Sequence, residues 1–157
     1  MQREYPELLR LAARDQSDLE VISALLQDAI VAGTDIHFDA ANSCFLLVVN
    51  RFCWERPALE GVNASSGDAV RERALSGLRI RSVVDVQKRQ WPKDWKNAFF
   101  NILALECKTM SKQDNGCSLE FKFSGGPSIR MLARDVNVVL GDLDSGRPTN
   151  LKPTHNV

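Results

Sequence analysis

Alternation of apolar and polar residues with a period of two recurs along this chain and constrains its fold more than any other feature. Ile36 and Phe38 alternate with Asp35, His37 and Asp39; Leu78, Ile80, Val84 and Val86 alternate with Arg79, Arg81, Asp85 and Gln87; Cys117, Leu119, Phe121 and Phe123 share one parity. A strand patterned in this way buries one face and wets the other, as antiparallel sheets commonly do. Phe99 to Lys108 and Ile129 to Ala133 are further strand-length runs, with Leu103, Leu105 and Cys107 on one parity. Cys44 to Val49 is apolar on both faces, which predicts a central strand covered above and below. Turn chemistry separates the runs at Ala40 to Ser43, at Asn115-Gly116, and at Gly125-Gly126-Pro127-Ser128. Leu8 to Ala13 suits a short opening strand or a piece of helix, since six residues of this composition do not separate the two.

Other stretches break the period. Ser17-Asp18-Leu19-Glu20 has the spacing of a capping box, and Leu19, Ile22, Leu25, Leu26, Ala29 and Ile30 recur at helical spacing up to Gly33. This predicts a helix that starts at Asp18 and covers the sheet. Asp135 precedes Val136, Val139, Leu140 and Leu143, spaced as one face of a helix, which predicts a second, C-terminal helix. Residues 57 to 77 are polar without a sustained period and read as a long surface excursion. Ser145 to Val157 is polar and punctuated by proline, as in a flexible tail. The expected fold class is α+β: a mostly antiparallel sheet of six to seven strands, with an early covering helix and a C-terminal helix. One domain spans residues 1 to 144, followed by the tail. The element order suits a pleckstrin-homology-like, partly open barrel plugged by its terminal helix. A two-layer α+β sandwich is the alternative, because strand order is not written in one chain.

Composition limits the function classes. Twenty Lys and Arg balance twenty Asp and Glu, so no global field draws the protein to nucleic acid or an anionic membrane. No apolar stretch approaches the roughly 18 residues that span a bilayer, and residues 1 to 20 lack the apolar region of a secretory signal, so a cytoplasmic protein is expected. Cys44, Cys53, Cys107 and Cys117 have no zinc-site spacing and are expected as reduced, mostly buried thiols. No GxSxG, HExxH, P-loop or GxGxxG is present, so nothing assigns a cofactor, and the reading leans away from an enzyme.

Several stretches together resemble a known family: Leu26-Gln-Asp-Ala-Ile30, Asn50-Arg-Phe-Cys-Trp-Glu55, Arg71-Glu-Arg-Ala-Leu-Ser-Gly-Leu-Arg79, Leu119-Glu-Phe-Lys-Phe-Ser-Gly-Gly126, then Ile129-Arg130 and Leu140-Gly-Asp-Leu143. Over residues 8 to 144 the chain resembles an uncharacterised bacterial family, a domain of unknown function. Cys53 stands where that pattern has an acidic residue. The resemblance implies domain boundaries and no chemistry.

Candidate site residues therefore come from the chain itself. Residues 71 to 96 carry eight basic residues against three acidic ones, with Trp91 and Trp95 among them, whereas residues 1 to 70 carry five basic against eleven acidic. Arg79, Arg81 and Arg89 on one wet strand face beside Trp91 would hold an anionic ligand or a protein partner. Without an RNP motif or GxxG loop, nucleic acid is the less suited partner. The alternative is a wet face that pairs internally with the acidic first half. At the end of the central strand, Arg51, Trp54 and Glu55 offer a cation, a stacking plane and a carboxylate, or else a continuation of the core. Asp35, His37 and Asp39 share a strand parity that would suit a metal-assisted enzyme, although same-face neighbours about 6.6 Å apart make a poor mononuclear site. The expected function is a small non-catalytic binding module that uses Arg51, Trp54, Arg79, Arg81, Arg89 and Trp91; the alternative is a homo-oligomeric assembly subunit.

Overall fold

A computed structural model describes residues 8–56, 71–110 and 116–149. Eleven strands form one antiparallel sheet: β1 (Arg10–Ala13), β2 (Ile30–Ala32), β3 (Ile36–Asp39), β4 (Cys44–Phe52), β5 (Arg71–Ile80), β6 (Val83–Arg89), β7 (Phe99–Met110), β8 (Cys117–Phe123), β9 (Ser128–Ala133), β10 (Val138–Asp142) and β11 (Arg147–Thr149). The helix among the described residues is α1 (Gln16–Leu26). The sheet is open, in the order β1-β10-β5-β4-β2-β7-β8-β9-β6, with β3 beside β4 and β11 beside β5. Antiparallel pairing is as expected; the strand count is higher.

The extra strands have identifiable sources. The predicted helix stops at Leu26, because Asp28 N donates to Ile102 O and Ile102 N to Ala29 O, which draws Ile30–Ala32 into the ladder as β2. The cap is Asp15 and not Ser17: its Oδ1 accepts from Asp18 N at 2.8 Å. The C-terminal helix is replaced by β10. Val136, Val138 and Leu140 are buried and Leu143 is 61% exposed, so the period that wins there is two. Neighbours β1 and β5 supply backbone partners on both sides, and a Val-Asn-Val-Val run favours an extended chain. Residues 71 to 77, expected in the surface excursion, form most of β5. Their inward positions, Ala74 and Ser76, are small and gave no apolar signal. Residues 57–70 of that excursion, the Asn115 turn position and the end of the tail lie outside the described residues, while Arg147–Thr149 adds β11 by pairing its backbone with β5.

β5 and β6 are joined only by Arg81-Ser82 yet lie far apart in the strand order, so the sheet must curl back on itself. Val83 N donates to Ser43 O and Arg134 N to Ser82 O, both at 2.9 Å, holding the two limbs together at this corner. Inside the curl, Phe45, Leu47, Leu78, Ile102, Leu105, Phe121 and Met131 are essentially fully buried. Leu19, Ile22 and Leu26 of α1 complete this core, each such burial contributing about 1.5–3 kcal/mol. The expected alternation in β7 shifts at a bulge after Ile102, so Ile102 and Leu105 point inward and Leu103 outward. β4 is central as predicted, but only its inner face is covered: Leu46 and Val48 are 39% and 40% exposed. No helix among the described residues is long and apolar enough to cross a membrane.

Candidate functional site

Arg51 lies at the inner end of β4, fully buried. Its Nε and Nη2 donate to the two Asp142 oxygens at 2.9 and 3.0 Å, and Nη1 and Nη2 donate to Glu55 at 2.8 and 2.6 Å. Ser76 Oγ and Leu9 N add further donors to Asp142 at 2.7 and 3.1 Å. Burial alone would raise the Asp142 carboxyl, but hydrogen bonds from Arg51 and Ser76 outweigh it and hold it below the usual range; the same balance lowers Glu55. Burial alone would lower the Arg51 guanidinium, and its two carboxylate partners raise it instead. Its charge is spent inside the protein, clamping β4 to β10.

Trp54 is tethered likewise. Its Nε1 donates to Gln27 O at 2.8 Å and its ring packs against Phe52 at 4.5 Å, although the side chain stays partly exposed. Trp91 stacks on Phe100 at 4.4 Å and meets Phe123 edge-on, its Nε1 shielded and without a hydrogen-bond partner among the described residues. Lys88 Nζ sits over both Trp91 and Trp95. Arg89 is exposed opposite Ser128, at the far end of β6 from Val83, about 20 Å away along an extended strand. The predicted basic face thus divides: Arg89 and Trp91 at one end, Arg79 and Arg81 at the other.

At the second end, three arginines face one cleft. Arg79 projects outward from β5, Arg81 follows in the corner, and Arg134, which nothing in the sequence pattern singled out, arrives after β9. All three line one cleft of about 740 Å³ together with the Asn42-Ser43 turn and Ser82. Ser43 and Ser82 both have left-handed backbone, φ 50° and 63°, a region that residues with a Cβ seldom occupy. None of the three guanidinium groups forms an ion pair among the described residues. Arg79 Nε is shielded from solvent and has no hydrogen-bond partner there. The carboxylate at the rim, Asp39, is engaged by Asn42, whose Nδ2 donates to it at 2.7 Å. Guanidinium donors that line a cleft suit an oxyanion.

Asp35, His37 and Asp39 do not form a unit. Asp35 belongs to a turn before β3 and Asp39 caps the next turn, and no group of three His, Cys, Asp or Glu among the described residues is placed to hold a metal. Cys53 and Cys117 are buried, with burial pushing the Cys117 thiol up to about 11.

The model of a family described as "Protein of unknown function (DUF2948)" matches residues 9–155. No curated protein and no solved structure matches the chain.

Proposed function

Because the chain belongs to that family of unknown function, we propose a role read from its own geometry: a small, non-catalytic, cytoplasmic module that binds an anionic ligand or partner group in the Arg79/Arg81/Arg134 cleft. One observation carries the reading: Arg79, Arg81 and Arg134 line one cleft, and no carboxylate of the described residues forms an ion pair with them. Guanidinium groups free of carboxylates can take an oxyanion through charge-assisted, bidentate hydrogen bonds. The pleckstrin-homology-like plan enters only as an architectural analogy, supported by an open, curled sheet and without a C-terminal helix among the described residues. Arg51, Trp54, Arg89 and Trp91 leave the site; Arg134 joins it.

The test is thermal stabilisation by inorganic phosphate, with chloride at matched ionic strength as control. Phosphate should raise Tm in the wild type and not in Arg79→Ala/Arg81→Ala or in Arg134→Ala. An equal rise in all of them, or none in the wild type, rejects the cleft.

A further inference from the structure

The anion cleft opens onto a second depression. On the outer face of the sheet, His37, Leu46, Arg79 and Val139 form one cross-strand row, and Val48, Gly77, Gly141 and Arg10 form the next. Gly77 and Gly141 are direct partners in the interiors of β5 and β10. They make the floor of a trough of about 670 Å³ that shares Leu46 and Arg79 with the cleft.

These glycines have no local reason to be glycine. Neither has a positive φ. Among the described residues, a Cβ built on Gly141 meets nothing within 4 Å, and one on Gly77 meets only Leu143 Cδ2, at 3.8 Å. Glycine weakens a strand interior and can mark a bulge, a bend or a place that a ligand or another backbone approaches closely; the ladders of β10 with β1 and of β5 with β4 and β10 carry no bulge. The walls are apolar and exposed: Leu8 55%, Leu46 39%, Val48 40% and Leu143 61%. The rim is basic, with Arg10, Arg79 and His37. The carboxylate among the lining residues, Asp142, is turned inward onto Arg51.

Resting on the reading of the cleft above, we propose that the ligand is a small amphipathic acid. Its anionic group meets Arg79, Arg81 and Arg134, and its apolar body lies on the Gly77/Gly141 floor against Leu46 and Val48. The trough volume falls within the range of small-molecule sites. A wholly polar anion would leave the apolar walls wet, and a neutral apolar molecule would leave Arg79 unanswered.

Anilinonaphthalenesulfonate, an aromatic body with one sulfonate, is the probe. Phenylnaphthylamine supplies that body without charge, and methanesulfonate the charge without the body. The sulfonate probe should bind saturably at one site, with both controls weaker by at least about tenfold. Gly141→Val, whose Cβ meets nothing within 4 Å among the described residues, should weaken the probe by about tenfold or more while the near-UV circular dichroism is unchanged. Leu46→Gln on the exposed wall is the second variant, should Gly141→Val fail to fold. Wild-type affinity in a folded floor or wall variant, equal binding of the uncharged body, or no binding of the probe overturns the proposal. If phosphate still stabilises the protein through its arginines while Gly141→Val binds the probe normally, the anion cleft stands and the trough falls. Loss of both phosphate and probe responses in the wild type removes both.

Discussion

Arg51 would be an improbable residue to bury alone, since an unpaired guanidinium in a core is prohibitively costly; here two carboxylates answer it, and Ser76 donates in turn to one of them, Asp142. Removing one member strands the other. Asp142→Ala should therefore destabilise the fold by about 3–5 kcal/mol in denaturant titration, and Arg51→Lys should not restore wild-type stability, because an ammonium cannot bridge both carboxylates in the bidentate pattern. The pH dependence follows from the lowered Asp142 and Glu55 carboxyls. A carboxyl lowered on folding gives stability that is complete above the unfolded range, about pH 4, and is lost as pH falls through the folded values. The denaturation midpoint should drop on acidification below about pH 4, and that drop should flatten in Arg51→Met. At this scale the sequence was only half legible. Arg51, Glu55 and a strand end were visible, but Asp142 sits on a segment whose spacing read as helix, so the partner that removes Arg51 from the surface could not be inferred.

Among the elements, α1 and β10 show how local pattern and tertiary pairing divide the decision. The start of α1 is a local matter: Asp15 caps it with a single hydrogen bond to Asp18 N. Asp15→Ala should cost about 1 kcal/mol, whereas Ser17→Ala, one residue inside the helix, should change thermal stability by less than about 0.5 kcal/mol. The reverse ranking would restore the capping box read from the spacing. The end of α1 is not local, because β7 captures residues 28–32. The same holds for β10, where Val136, Val139, Leu140 and Leu143 fit a helix face as well as Val136, Val138 and Leu140 fit a strand face. Two flanking strands with open backbone groups decide for the strand. β8, by contrast, was fully legible, since Cys117, Leu119, Phe121 and Phe123 are all inward with no bulge to shift their parity.

The curl of the whole sheet brings Ser43, Ser82 and Arg134 to one corner and makes the candidate cleft. It also leaves β1 and β6 as terminal strands. β1 has four residues, and β6 carries a bulge after Val83 together with Asp85, Lys88 and Arg89, features that discourage edge-to-edge pairing. Light scattering should accordingly give a mass near 17.5 kDa for the wild type at high concentration; a dimer mass would instead favour assembly through an edge or the outer face. The sequence by itself determined that the chain is antiparallel and rich in strands, where it turns at Gly125-Gly126, and that Arg79 stands outward, because alternation and turn chemistry act between neighbours in the chain; the alternation read through Arg81 to Gln87 breaks at the Arg81-Ser82 corner and leaves Val84 exposed. Only the tertiary structure decided which of two periods residues 136–143 obey, that Arg51 is enclosed while Arg79 is not, and that Arg134 and two strand glycines join the same outer surface. Those outcomes depend on backbone groups and charges supplied by segments remote in sequence, and no local pattern records which remote segment will supply them.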